Sequence, residues 1–445
     1  MSHPGADEIL SWYQRLPDAS HRRAIFHLLE CEPCRQRTLA ALAAAEALDG
    51  EHEVEPPPGY PPPPPPFSPD PPFPAFDFKS VFGRTVARAE DEQRHAEALR
   101  REVLAQPAAR REVLVTNSRR FASLPLAEHL LDASRQVAPR DPGEAEALAR
   151  LALVVLARTD SAFHGERLLA DLSGRAWCHA AEARRRRGDL AGADECFRQA
   201  GELLEGSGDP AERAAFFHRF AFLRRDELRH LEAQDLLERA AGLYAESEDG
   251  ERQGSVLADL GAMLLDRGHL DEALPVLLEA LRLIDPLSDP LTAVRLRQSL
   301  AFAFADGGEM DQAAWMLAEV ERLGAVDPCT ALRTTWLAGR VAAGTDRPDE
   351  AEERFHAARR GFRDTGCLYE ALQVAMDLAL LYVRQQRRTD LKALADELAP
   401  LAFSPQLHPG AMTALIGFLQ AAEHDLATAA SAARVTRSLR ELGRL

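Results

Sequence analysis

The sequence has 445 residues, of which 46% are hydrophobic and 28% are charged, so it can form one extended array or two to three compact domains. It contains no run of eighteen apolar residues and no signal-peptide pattern at its amino terminus. Seventy acidic residues against 53 basic ones give a formal net charge of -17, which disfavours nucleic acid and anionic membranes as direct partners. We therefore expect a soluble cytoplasmic protein.

Residues 1–50 are predicted to form a small helical domain. Residues 6–16 carry apolar side chains at helical spacing and end at Pro17, and residues 21–30 form a second amphipathic segment that must end before Pro33. Residues 35–48 read as a third helix. Three short helices bury little apolar surface, so we expect a metal ion or a similar staple to stabilise them.

The pattern HxxxCxxC, formed by His27, Cys31 and Cys34, is the strongest chemical motif in the sequence. His27 and Cys31 lie one helical turn apart, and a turn after Cys31 can bring Cys34 beside them. Cys34 falls in the first turn of the third helix, where the helix dipole favours a thiolate. The motif predicts one structural zinc ion, whose fourth ligand could be His3, His21 or a water molecule.

This motif between two short helices resembles the zinc-binding anti-sigma domain family. In that family the fourth ligand lies about two dozen residues upstream, and His3 stands twenty-four residues before His27. The resemblance therefore implies a zinc site of His3, His27, Cys31 and Cys34. It also implies a sigma factor of the extracytoplasmic-function type as partner.

Residues 51–77 are predicted to be a linker, because thirteen prolines fall between Pro56 and Pro74. Proline lacks the backbone donor that helices and strands need, so the segment favours a polyproline II spacer that spans about 60 Å. A ligand for an SH3-type domain is the alternative interpretation, although no basic residues flank the prolines.

Residues 78–118 are predicted to contain one long polar helix and a connector. A thin apolar stripe runs along residues 79–105, including Phe82, Val86, Leu99 and Val103. So narrow a stripe is typical of packing against a partner helix. The alternative is a solvated helix that caps the domain that follows.

Residues 119–445 repeat with a period of forty residues, which shortens once to thirty-eight. An alanine recurs at one position of each repeat, followed in the same frame by aromatic or aliphatic residues. A small residue stands twelve positions before each of these alanines. Small residues at both positions would let two antiparallel helices approach closely. The recurring small residues are Ala193, Ala233, Ala273, Ala313 and Ala351, preceded by Ala181, Ala221, Gly261, Ala301 and Gly339. Gly188, Gly268 and Gly308 fall between the first and second helix of a pair.

This frame resembles the tetratricopeptide repeat family, with Trp177, Leu260, Gly261 and Leu264 at positions of its signature. The resemblance covers roughly residues 140–400 and implies an all-α fold with a right-handed superhelix of helix pairs. It also implies a groove lined by the first helices, where Glu182, Phe222 and Phe302 would point inward. Arg185 and Arg225 follow two of these positions.

The groove is expected to hold an apolar or acidic amphipathic helix or an extended peptide. The alternative is that Phe222 and Phe302 only pack between neighbouring helix pairs.

No phosphate loop, nucleophile elbow or metalloprotease motif occurs, so we expect no enzymatic activity. The run from Arg184 to Arg187 fits a solvated helix face with internal ion pairs better than a nucleic-acid contact. The sequence predicts a regulatory or scaffold protein that binds a sigma factor through zinc-stapled helices and a second protein or peptide through its repeats. The alternative is a general scaffold in which the zinc domain is purely structural.

Overall fold

In the computed structural model, the residues whose structure is described are 78–204, 206, 209–324, 327–404 and 407–442. They fold into helices joined by short turns and belong to two compact units. The first unit contains residues 78–187 with Gly206, and the second contains residues 188–204 and 209–442.

The helices of the first unit are α1 (Phe78–Leu104), α2 (Ala108–Asn117), α3 (Leu124–Val137), α4 (Pro142–Leu156), the short α5 (Ser161–His164) and α6 (Glu166–Arg186). Helices α3, α4 and α6 pack in series. Their apolar faces form one core, which contains Phe121, Leu126, Leu130, Leu148, Leu151, Val155 and Leu172. Burial of this surface is the main stabilising contribution to the unit.

The carboxyl-terminal half of α1 belongs to this core. Ala96 and Val103 are fully buried, and Leu99 packs against the same cluster through contacts with α3. Leu99 and Val103 of the apolar stripe predicted from the sequence therefore pack inside the unit, against the helices that follow α1.

The arginine run at the end of α6 is held by ion pairs. Arg184 donates to Glu146 across 2.7 Å and Arg187 donates to the same carboxylate across 3.0 Å. Arg185 forms a two-point contact with Glu182, with both N–O distances 2.8 Å. These contacts agree with the prediction that the arginines of this run form ion pairs within the protein.

The helices of the second unit are α7 (Leu190–Leu204), α8 (Pro210–Asp226), α9 (His230–Glu246), α10 (Gly250–Asp266), α11 (Leu270–Leu283), α12 (Pro290–Asp306), α13 (Met310–Leu323), α14 (Pro328–Gly344), α15 (Pro348–Asp364), α16 (Leu368–Arg384), α17 (Arg388–Leu398), α18 (Pro409–Glu423) and α19 (Ala429–Leu442). From α8 to α17 they form five helix pairs. Helices α10, α12, α14 and α16, each the first of its pair, are neighbours in series.

Aspartates begin several first helices. Asp209, Asp249, Asp289 and Asp327 each accept a hydrogen bond from a backbone N–H of the first turn. This contact satisfies a donor that the helix itself leaves open, and a carboxylate suits the positive end of the helix dipole. The DP pairs in the longer connections between repeats therefore start helices.

Small residues set the distance between the two helices of a pair. A Cβ atom on Gly261 would lie 2.5 Å from the Leu277 side chain, and one on Gly339 would lie 2.7 Å from the Phe355 ring. Both distances are far below van der Waals contact. The predicted fit of a small residue against a large one is confirmed at these two positions.

Candidate binding face

The neighbouring first helices of the second unit place aromatic and charged side chains side by side. We call the set Asp266, Phe302, Asp306, Arg333, Trp336 and Arg340 the Phe302 face. These residues come from three consecutive first helices, α10, α12 and α14. The forty-residue repeat brings equivalent positions of these helices next to one another.

Phe302 and Trp336 form the aromatic part of this face. Their ring centroids are 4.8 Å apart, and the guanidinium carbons of Arg333 and Arg340 lie 5.3 Å and 5.6 Å from the centre of the Phe302 ring. The indole N–H of Trp336 donates to a carboxylate oxygen of Asp377 across 2.7 Å. The rings are therefore fixed in position by neighbouring charges.

Asp306 is a double acceptor on this face. Its carboxylate accepts a hydrogen bond from Arg340 across 2.5 Å and another from Arg440 of α19 across 2.9 Å. Burial alone would raise the pKa of Asp306, but the two guanidinium groups outweigh it and hold the pKa below its ordinary value. Asp306 is consequently a stable anion.

Asp266 occupies the same repeat position one pair earlier, and its surroundings differ. Within the described residues its carboxylate forms no hydrogen bond or ion pair, although Arg225, Arg333 and Arg440 are close enough to attract it. Desolvation by the surrounding protein raises the pKa of Asp266. The side chain is still accessible to water.

Polar side chains at one repeat position connect consecutive first helices. His218 bonds to Asp259 across 2.8 Å, and Gln298 donates to the Thr330 carbonyl and to the Thr334 hydroxyl, each across 2.8 Å. The Gln298 side chain is fully buried, and its carbonyl oxygen accepts no hydrogen bond from the part of the chain that the structure describes. These contacts fix the spacing of the helices that carry the face.

The helix α19 reaches the Phe302 face from the far end of the unit. It packs against α16 and α18 and buries Ala432, Val435 and Leu439. The Tyr369 hydroxyl donates to the carbonyl of Leu439. In this position Arg440 contacts Asp306, which is 134 residues earlier in the sequence.

The predicted groove residues fall into three places. Glu182 and Arg185 pair with each other in the first unit. On α8, the Arg225 guanidinium lies 5.0 Å from the centre of the half-buried Phe222 ring. Phe302 is 8% exposed and lies on the face defined above.

Sequence reasoning did not single out Asp266, Asp306, Arg333 and Trp336. A signal for the two aspartates was present, because Asp226, Asp266 and Asp306 recur at forty-residue intervals.

The predicted zinc ligands His3, His27, Cys31 and Cys34, and the alternative His21, lie outside the described residues. Within residues 78–442, the described side chains contain no group of three metal-ligating residues placed to hold an ion. None of the described helices combines the length and apolar character that crossing a membrane requires.

Comparison with known proteins shows the fold. No family model and no protein of curated function matches this sequence. The crystal structure of aspartyl phosphate phosphatase F from Bacillus subtilis is similar, with a TM-score of 0.51 and 14% identity over 90% of this chain and 94% of that chain. At this identity the similarity shows the fold alone.

Two other solved structures are similar over a smaller part of this chain. A Rap protein complexed with competence and sporulation factor gives a TM-score of 0.47 at 13% identity, over 61% of this chain and 75% of that chain. The Rap conjugation gene regulator of plasmid pLS20, in complex with the Phr* peptide, gives 0.40 at 15%, over 71% and 98%. The similarity to the phosphatase F structure shows a tetratricopeptide-like helical repeat fold, which confirms the corresponding part of the predicted architecture.

Proposed function

We propose that this chain is a protein-interaction scaffold that binds a peptide or a segment of another protein on the Phe302 face. First helices in series present an extended surface to a ligand, and such a surface can contact several consecutive residues of a bound segment. This is the general scaffold function. We expect binding without catalysis.

The observation that carries the proposal is the pair of charged groups without polar partners beside Phe302. Within the described residues, neither the Asp266 carboxylate nor the Arg333 guanidinium forms a hydrogen bond or an ion pair. They belong to the helices on either side of the one that carries Phe302. A carboxylate accepts and a guanidinium donates, so together they can satisfy both kinds of polar group in a peptide.

A selection from a phage-displayed peptide library on the intact protein tests the proposal. We expect the selected peptides to lose about tenfold or more in affinity when Asp266→Asn or Arg333→Gln is introduced, because each change removes a charge-assisted hydrogen bond. The control is Arg282→Gln, an exposed arginine on the second helix α11. Equal affinity of all three variants and the original protein would refute the proposed face.

The amino-terminal motif supports a finer proposal. Zinc held by His3, His27, Cys31 and Cys34 would stabilise residues 1–50, and the family resemblance makes a sigma factor their partner. Co-purification of the intact protein with a sigma factor, lost in the Cys31→Ser variant, would support this finer function. The general scaffold function does not depend on it.

A further inference from the structure

The contact between Arg440 and Asp306 indicates which chemistry the Phe302 face accepts. We infer that the partner is a basic helical segment that presents an arginine to Asp306, and that α19 occupies this place as an internal substitute. The inference rests on the proposed function and names the class of its ligand. A partner would then exchange with the end of α19.

Asp306 accepts hydrogen bonds from two arginines, one on a neighbouring helix and one from a distant part of the sequence. Arg340 lies on the adjacent first helix and also approaches Asp377 at 3.6 Å. Arg440 comes from α19 and contacts Asp306 through both terminal nitrogens, at 2.9 Å and 3.4 Å. If α19 moved away, Arg340 would remain and the second acceptor position would open to another guanidinium.

Aspartates end three consecutive first helices. Asp226, Asp266 and Asp306 are the last residues of α8, α10 and α12. The carboxyl end of a helix carries the negative end of the helix dipole, so an aspartate there is locally unfavourable. Because an aspartate recurs at this unfavourable position in all three helices, we interpret the three aspartates as a row that attracts cations. Arg440 is already bound at one member of the row, whereas Asp266 beside it forms no ion pair with any residue that the structure describes.

The sequence of α19 has the pattern that we expect in such a ligand. Arg434, Arg437 and Arg440 recur every three residues, while Ala432, Val435 and Leu439 are buried on the other side. This is the pattern of an amphipathic helix that lies in a groove. The buried side chains are few and small, so a partner with the same pattern and larger apolar residues could displace it. The net charge of -17 further favours a basic partner.

The test uses a labelled synthetic peptide with the sequence of residues 427–442 and the intact protein. In the original protein α19 is covalently linked to its site, so its effective concentration keeps the peptide from binding well. Arg440→Gln in the protein frees Asp306, and we expect peptide affinity to rise about tenfold. Arg437→Gln is the matched control, because it removes the same charge from an exposed position of the same helix.

Two further variants test whether the ion pair between Asp306 and an arginine causes the gain in peptide affinity. A peptide that itself carries Arg440→Gln should not bind the Arg440→Gln protein with the increased affinity. The original peptide should likewise lose the increased affinity for a protein that carries both Asp306→Asn and Arg440→Gln. If the Asp306→Asn protein folds poorly, the altered peptide tests the same ion pair on a protein that retains Asp306.

Equal effects of Arg440→Gln and Arg437→Gln, or indifference to the arginine in the peptide, would overturn the inference. Library peptides that require Arg333 and ignore Asp306 would overturn it while leaving the proposed function intact.

Discussion

At the scale of single residues, two aspartates at the same repeat position have opposite properties. The pKa of Asp306 is lowered by Arg340 and Arg440 against the effect of burial, whereas desolvation raises the pKa of Asp266. The difference comes from arginines on other helices. A repeat alignment therefore predicts where these carboxylates are, and the packing of the whole unit decides the direction in which the pKa of each one shifts.

The raised pKa of Asp266 leads to a prediction about stability. An acid whose pKa is higher in the folded state stabilises folding while it is protonated, and this contribution is lost as the pH rises through the folded-state pKa. We expect Asp266→Asn to be more stable than the original protein at pH 7. The difference should shrink toward zero below about pH 4, where the aspartate is protonated in both states. Urea denaturation from about pH 2.5 to about pH 8 measures it.

Asp306→Asn should show the opposite sign in the same experiment. Its pKa is lowered, so its contribution is present at neutral pH and is lost as the pH falls. We expect a loss of about 2 kcal/mol at pH 7, because two arginines lose a charged acceptor. If both asparagine variants shifted stability in the same direction, the assigned directions of the two pKa shifts would be wrong.

At the scale of helices and turns, the repeat frame predicted most of the second unit. The five recurring alanines of the second helices, Ala193, Ala233, Ala273, Ala313 and Ala351, are all 0% exposed. Local periodicity specifies such contacts because each helix packs on its sequence neighbours. The burial of Ala96 and Val103 of α1 was harder to predict, since a thin stripe does not reveal its partner.

The turns inside the pairs give a second prediction. Gly268 and Gly308 have φ angles of 79° and 81°, and Leu228 takes φ 61° at the equivalent place. A Cβ on Gly268 would meet no atom within 4 Å, so the cost of Gly268→Ala is that of the left-handed backbone alone. We expect a loss of about 1 kcal/mol in the free energy of unfolding, measured by urea denaturation.

Leu228→Gly is the complementary variant. It relieves the same backbone strain, so its effect should be smaller than that of Gly268→Ala or opposite in sign. An unchanged free energy of unfolding in Gly268→Ala would show that the turn tolerates a side chain without strain.

At the scale of the whole molecule, the least predictable contact joins Arg440 to Asp306. It spans 134 residues and follows no repeat period, because α19 packs against α16 as well as against its sequence neighbour α18. A repeat pattern predicts contacts between helices that are adjacent in the repeat. This contact depends instead on how the last described helices are arranged. Phe302 and the positions of Asp266 and Asp306 follow the repeat frame, whereas the contacts that Arg333, Arg340 and Arg440 make with them do not.

A third prediction concerns the zinc proposal and the predicted linker. Purified protein should contain about one zinc ion per chain, and His27→Ala with Cys31→Ser should remove it. Because a proline spacer would transmit little strain, the main thermal transition of the helices should stay at the same temperature. Metal analysis and circular dichroism on the intact chain measure both effects. Full zinc retention would refute the site, and a large shift of the transition would refute the independence of the segments.

The burial of Trp336 has a practical consequence. Its indole ring is 5% exposed between Phe302 and the Asp377 carboxylate, whereas Trp315 on α13 is 60% exposed. A soluble quencher such as acrylamide should extinguish the emission of Trp315 first and leave that of Trp336. If Trp12, Trp177 and Trp315 are replaced by phenylalanine, the remaining fluorescence would report directly on the Phe302 face, so that ligand binding could be followed optically without an attached dye.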